Sequence, residues 1–72
     1  METITWTASN NSSFLNGNRE AKTVLGAVRA MRNYIENELC GEGSGTIFVD
    51  GVEFRQDRKD IFTGYKWNHV IL

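Results

Sequence analysis

Few side chains in this chain of 72 residues could do covalent or acid–base chemistry. His69 is the single histidine and Cys40 the single cysteine. No serine or cysteine has the sequence neighbours that mark an activated nucleophile, and a Cys40–His69 pair is an alternative that the sequence leaves open. We expect His69, which follows Trp67 in a strand-like segment, to be structural. The sequence therefore predicts a protein that is not an enzyme.

Motifs for a metal ion or a phosphate group are weak. Asp57 and Asp60 have a spacing at which two carboxylates can share a metal ion, but Arg58 and Lys59 lie between them, which favours a solvated turn. Three glycines alternate with other residues: Gly41, Gly43 and Gly45. They follow a predicted helix, whereas a phosphate-binding loop follows a strand and leads into a helix N-terminus. We expect no metal ion, no cofactor and no small-molecule substrate.

Size and composition indicate one small globular domain spanning residues 1–72. Apolar residues make up 40% and charged residues 24% of the chain, which is ordinary for a folded domain and too apolar for disorder. No apolar run approaches the ~20 residues of a membrane span, and the first residues lack a basic segment followed by an apolar one. A single cysteine fits a reducing compartment. We expect a cytoplasmic protein.

Charge is segregated along the chain, although the formal net charge is only −1. Residues 19–32 and 55–66 carry an excess of Arg and Lys, whereas every charged side chain in residues 36–53 is acidic. A near-neutral total argues against a broad phosphate-attracting surface. A local electrostatic contact with a partner remains open.

The segment Gly45–Arg55 predicts a β-hairpin and its register. Asp50-Gly51 suits both positive-φ positions of a two-residue type I′ turn. Two apolar pairs result: Val49 opposite Val52, and Ile47 opposite Phe54. Because side chains alternate along a strand, all four share one face of the hairpin. We expect that face to be covered by a helix.

One long helix is predicted from about Arg19 to Leu39 or Cys40. Asn18 is a suitable N-cap, and Gly41 suits the position after the helix end. Apolar residues recur at steps of three and four: Ala21, Val24, Val28, Met31, Ile35 and Leu39, with Leu25 at their flank. Such a helix spans roughly 32 Å, longer than a five-residue hairpin strand of ~17 Å. Either the C-terminal strand covers the difference, or part of the helix overhangs and another protein covers it.

The remaining segments complete a two-layer α+β fold. We predict a strand at residues 3–7, a flexible connection at 41–45, a turn or short helical link at 56–60, and a strand interrupted near Gly64 at 61–72. Tyr65, Trp67, His69 and Ile71 would share one side of that last strand. The predicted architecture is one long helix packed on an antiparallel sheet of three to four strands, in the order β-α-β-β-β.

The outward face of the predicted helix is the leading candidate for a binding site. It combines small side chains, a hydroxyl and a tyrosine with two basic residues at its border: Thr23, Gly26, Ala27, Ala30 and Tyr34, bordered by Lys22 and Arg29. A glycine on an exposed helix face costs ~1 kcal/mol relative to alanine, and Gly26 with Ala30 would form a shallow groove for another backbone. The alternative is a glycine that is tolerated on a solvated face. The leading hypothesis is a protein-interaction domain that binds another protein, or a second copy as a homodimer, through this face.

A basic and aromatic C-terminal segment supports a second hypothesis. Bases stack on aromatic rings while cations meet phosphates, so side chains of both types can bind single-stranded nucleic acid. The candidate residues are Arg58, Lys59, Tyr65, Lys66 and Trp67. Asp57 and Asp60 dilute this charge, and Tyr and Trp at alternate positions of a strand are more often core residues. We therefore rank nucleic-acid binding below protein binding.

The hairpin sequence FVDGVEF, with the helix before it, resembles the small head-to-tail joining proteins of lambdoid phages. The resemblance covers Ile47 to Phe54 and the preceding helix, and it implies a role in virion assembly. The chain departs from that family in its additional N-terminal strand and in its aromatic last strand, where the family closes with a helix. A very small chain without catalytic or cofactor motifs is also similar to phage-encoded accessory and inhibitor proteins. That similarity implies a partner among host or virion proteins.

Overall fold

The computed structural model describes residues 2–60 and 66–72, which form one helix and five strands. The strands are β1 (Ile4–Ser9), β2 (Arg19–Ala21), β3 (Gly43–Val49), β4 (Val52–Lys59) and β5 (Trp67–Ile71), and the helix α1 (Val24–Glu38) follows β2. The strands form one antiparallel sheet in the order β2-β1-β3-β4-β5. The predicted α+β fold is confirmed, with more strands than the three to four expected. No helix in the described residues is long and apolar enough to cross a membrane.

The core lies between α1 and one face of β1 and β3. Alternate residues of the two strands meet the apolar stripe of the helix, and the buried apolar residues are Ile4, Trp6, Ala8, Ala27, Val28, Met31, Ile35, Leu39 and Ile47. The predicted stripe is confirmed at Val28, Met31, Ile35 and Leu39. The core therefore occupies the β1–β3 half of the sheet.

The helix begins later than the sequence predicts. Residues Arg19–Ala21 pair with β1 as a strand, and Thr23 is the N-cap, because its Oγ1 accepts a hydrogen bond from the Gly26 N–H at 2.9 Å. The expected cap at Asn18 is wrong, since strand pairing takes residues 19–21 before a helix can start. With 15 residues, α1 extends about 22 Å, against ~27 Å for an eight-residue strand such as β4. The expectation of an overhanging helix is therefore wrong.

The helix ends close to its predicted boundary, with Leu39 as the C-cap. Cys40 is the first residue with a positive φ, at 58°, and Gly41 follows at 80°. Gly41 therefore lies one position later than expected. Its N–H still returns to the helix, where it donates to the Ile35 carbonyl at 2.9 Å.

The hairpin turn is confirmed, but part of its register is not. Asp50 and Gly51 have φ values of 53° and 79°, and Val49 pairs with Val52. Beyond that pair a β-bulge intervenes: Phe48 lies opposite Glu53 and Ile47 lies opposite Arg55, so Phe54 has no partner. The predicted Ile47–Phe54 pair is therefore wrong. Ile47 is buried, whereas Val52 and Phe54 are 68% and 40% exposed, so the expectation that they join the core is also wrong.

Two segments expected to be irregular belong to strands. Residues 56–59 continue β4, which excludes the predicted turn there. Gly43 and Gly45 lie in β3, not in a flexible connection. A Cβ on Gly45 would lie 2.5 Å from the Met31 Cγ and 2.7 Å from the Thr7 carbonyl oxygen, so glycine at this position lets the helix approach the sheet. The predicted break near Gly64 lies outside the described residues.

Candidate functional site

The predicted binding face on the helix is not a continuous exposed surface. Ala27 is fully buried against the sheet, so its assignment to that face is wrong. Thr23 uses its hydroxyl as the N-cap, and Tyr34 is half-buried against the core. Four residues of the set are exposed: Lys22, Thr23, Arg29 and Ala30. Gly26 and Ala30, which were predicted to form the shallow groove, are half-buried and exposed, respectively, but the buried Ala27 beside them takes no part in that face.

Gly26 has a local reason to be glycine. A Cβ at this position would lie 3.1 Å from the Thr23 Oγ1, which is the oxygen that accepts the Gly26 N–H. An alanine would therefore press on the hydroxyl that caps the helix. The close approach of the cap removes the need for a partner backbone to explain this glycine.

One side of α1 is closed by an aromatic and cationic contact. The rings of Trp6 and Tyr34 lie with their centroids 5.8 Å apart and tilted by 59°. The Arg19 guanidinium of β2 lies 5.9 Å from the Trp6 centroid and 5.6 Å from that of Tyr34. Cation–π attraction at such distances is modest. The Arg19 side chain also lies beside the flank of the helix that carries Ala30.

The residues of the nucleic-acid hypothesis do not share one face. Lys59 pairs with Trp67 across β4 and β5, and Arg58 pairs with Asn68 on the opposite face, because neighbouring residues of a strand point to opposite sides. Arg58 also forms an ion pair with Asp60 at 3.2 Å. Lys66 is exposed, and Tyr65 lies outside the described residues. The set therefore does not form a single basic platform.

A buried carboxylate joins α1 to β4. Asp57 is fully buried and accepts hydrogen bonds from Arg32 Nε at 2.8 Å and from Arg55 Nε at 2.7 Å. The two guanidinium groups keep part of their surface in water, with side chains 33% and 23% exposed. Two cations on one anion satisfy the carboxylate, and no described buried side-chain nitrogen or oxygen lacks a hydrogen-bond partner. We call Asp57, Arg32 and Arg55 the ion cluster.

The ion cluster continues into a cation–aromatic stack at β5. The Arg32 guanidinium lies 5.0 Å and the Lys59 ammonium 5.6 Å from the centroid of the Trp67 ring. Lys59 also forms an ion pair with Glu36 of the helix. The positive charges that a phosphate would need are thus engaged with carboxylates. This arrangement fixes the helix over the sheet and offers no open acid, base or nucleophile.

Two other side chains considered for chemistry, Cys40 and His69, lie on different elements of the fold. Cys40 is exposed just beyond the end of α1, and His69 is exposed in the middle of β5. In the part of the chain that the structure describes, no group of three or more His, Cys, Asp or Glu is placed to bind a metal ion.

The outer strand β5 and the adjoining start of β4 carry a cluster of exposed apolar side chains. We call this set the edge surface: Val52, Phe54, Val70, Ile71 and Leu72, which are 40–72% exposed. Ile71 pairs with Arg55 and so lies on the helix side of the sheet, whereas Val70 pairs with Gln56 and lies on the other side. The edge surface therefore wraps around both faces of the sheet corner, where monomeric proteins rarely leave apolar groups clustered.

The backbone of β5 is also available for pairing. Among the described residues, β5 has a neighbouring strand on the β4 side only. The Leu72 N–H donates to the Phe54 carbonyl of β4 at 3.0 Å. Since amides alternate in direction along a strand, Trp67, His69 and Ile71 direct their N–H and C=O groups away from β4. Natural edge strands are usually blocked by charge or proline, and β5 has neither in its sequence WNHVI.

Sequence reasoning missed the edge surface. The prediction that Trp67, His69 and Ile71 share one side is confirmed by their pairing with alternate residues of β4. What the sequence could not supply was the position of β5 at the edge of the sheet and the bulge that exposes Phe54. The signal that was present is the run of apolar residues 70–72 without a charged neighbour in the strand.

Comparison with protein-family models, with curated proteins and with solved structures found no match.

Proposed function

We propose that this chain is a non-enzymatic protein-interaction domain whose docking site is the edge surface. The observation that carries the proposal is an unblocked outer strand flanked by apolar side chains on both of its faces. A helix laid on one face would cover Ile71 and leave Val70 in water. A strand added in the plane of the sheet would cover both, which is the binding mode of domains that extend their sheet with a partner's segment.

The side chains of β5 indicate the chemistry of the partner segment. Because β5 contains no Asp, Glu, Lys or Arg, it favours an extended, mostly apolar partner segment. The expectation that this partner is a host or virion protein of a phage, bound by an accessory or inhibitor protein or by an assembly component, stays a prediction. Co-purification with host complexes or with particles distinguishes those roles.

The test compares two lysine variants of a tagged copy in cells of its native host. Ile71→Lys places a charge on the edge surface at a residue that is 72% exposed, so the monomer should keep its fold. Ala30→Lys makes the same charge change on the exposed side of α1 and is the matched control. We expect proteins that co-purify with the wild type and with Ala30→Lys to be lost with Ile71→Lys.

The opposite pattern, with loss only in Ala30→Lys, would move the docking site back to the helix. A titration with single- and double-stranded oligonucleotides over a salt series separates the second hypothesis. Binding that weakens steeply with salt would favour nucleic acid over protein as the partner.

A further inference from the structure

We propose that the partner strand on β5 is supplied by a second copy of this chain, so that two sheets join antiparallel into one sheet of ten strands. This inference rests on the proposed docking site and adds the identity of its occupant. A two-fold axis perpendicular to the sheet at His69 relates the copies. Such an isologous contact uses the same strand twice and closes on itself.

The backbone selects this register. Trp67, His69 and Ile71 carry the outward N–H and C=O groups of β5, as the inward Leu72–Phe54 hydrogen bond requires. With the axis at His69, Trp67 of one copy lies opposite Ile71 of the other, and His69 lies opposite itself. Every outward donor and acceptor then has a partner, which gives about six hydrogen bonds. Moving the axis by one residue leaves one of the three outward-facing residues opposite a position beyond β5.

The side chains are complementary in the same register. Along the helix side of β5 the order is Trp67, His69, Ile71. The imidazole has an apolar residue on each side, so the pattern of apolar and polar residues is the same in both strand directions. Each Trp67 would cover the exposed Ile71 of the other copy, an aromatic–β-branched pair of the kind that stabilises neighbouring strands. On the other side Val70 would meet Asn68. No Asp, Glu, Lys or Arg of β5 faces another, because the strand contains none.

The residues that the structure describes leave room for this contact. α1 packs over β1, β2 and β3, so its body lies away from the β4–β5 edge where the second sheet would arrive. A strand edge of five residues is ~17 Å long, which makes a small interface of the weak and reversible class. We expect a dissociation constant on the order of tens of micromolar.

A proline at the centre of β5 tests the contact. The outward N–H of His69 makes no bond to β4, so His69→Pro removes a dimer donor while keeping the pairing within the monomer. His69→Ala keeps the N–H and is the matched control. In sedimentation equilibrium on the full chain, we expect the wild type and His69→Ala to dimerise within about threefold of each other, and His69→Pro at least about tenfold more weakly. A circular-dichroism melt of His69→Pro at low concentration checks that its monomer is folded.

Hydrogen exchange of the wild type gives an answer that needs no variant. Raising the protein concentration should slow exchange at the amides of Trp67, His69 and Ile71, while Asn68 and Val70, which already face β4, should not change. A wild type that stays monomeric up to about 1 mM, or a His69→Pro variant that dimerises like the wild type, would overturn the second copy as occupant. If the wild type is monomeric and Ile71→Lys still loses a co-purifying protein, the docking site stands and its occupant is another protein. If neither association depends on β5, the proposed function fails as well.

Discussion

Gly45→Ala should destabilise the domain through lack of space alone. The backbone of Gly45 lies in a strand and is not in the left-handed region, so alanine can adopt it. Its Cβ, however, would lie 2.7 Å from the Thr7 carbonyl oxygen and 2.5 Å from the Met31 Cγ. The methionine can move, but the carbonyl belongs to the neighbouring strand β1 and cannot move without breaking the sheet.

The change in unfolding free energy caused by Gly45→Ala is the sum of two opposing contributions. Overpacking a close-packed core costs ~1–3 kcal/mol, and the rigid carbonyl favours the upper end. Replacing glycine by alanine returns ~0.4–1 kcal/mol by restricting the unfolded chain. We expect a net loss of about 2 kcal/mol of unfolding free energy, a large part of the ~3–5 kcal/mol available to a domain of this size. The midpoint of thermal unfolding should fall by roughly 8–16 °C.

Urea unfolding followed by circular dichroism measures the loss, with sucrose added where a variant is too unstable to show a folded baseline. A double-mutant cycle with Met31→Ala separates the two clashes. Removing the methionine should recover about 1 kcal/mol of the loss from Gly45→Ala, because one of its obstructing groups is gone. A Gly45→Ala variant within ~0.5 kcal/mol of the wild type, or a strictly additive cycle, would refute the close approach of helix and sheet at this point.

Two further stability predictions concern the ion cluster and the helix cap. Asp57→Asn leaves Arg32 and Arg55 facing a neutral amide, and we expect a loss of about 2–3 kcal/mol in urea unfolding; a loss below ~0.5 kcal/mol would mean that the arginines are not held by this carboxylate. Thr23→Ala should cost ~1 kcal/mol as a lost N-cap. Gly26→Ala should be nearly neutral in the wild type but stabilising by ~1 kcal/mol once Thr23 is alanine, because its Cβ then has space; equal effects in both backgrounds would contradict the contact with the cap.

Local rules predicted the elements whose structure depends on near neighbours in sequence. The Asp50-Gly51 turn needs only two residues that accept a positive φ, and both values are positive. The apolar stripe of α1 depends on a spacing of three and four, which holds at Val28, Met31 and Ile35. These features depend on residues that are close in sequence, and a single sequence therefore suffices to predict them.

The missed features depend on pairing between distant segments. Residues 19–21 have a helical neighbourhood in sequence, yet they pair with β1, and strand pairing overrides the local preference. The bulge at Phe54 shifts the hairpin register by one residue, and this shift brings Arg55 opposite Ile47. Ala27 was assigned to the outward face of the helix, yet it is fully buried as part of the core. The strand at 19–21 and the bulge have no signal in neighbouring residues, whereas the burial of Ala27 has one, because Met31 and Ile35 follow it at steps of four.

The ion cluster borders the edge surface, because Arg55 pairs with Ile71. The buried apolar residues lie between α1 and the β1–β3 part of the sheet, and across β4 the helix is held by Arg32 on Asp57. Both guanidinium groups keep part of their surface in water while they bind the buried carboxylate, and an apolar layer over this half of the sheet would have to dehydrate them at a cost in free energy. In the described residues, the exposed apolar side chains of β4 and β5 lie outside the core. In the proposed dimer, a second chain beside β5 in the plane of the sheet would cover both of its faces and leave the arginines hydrated.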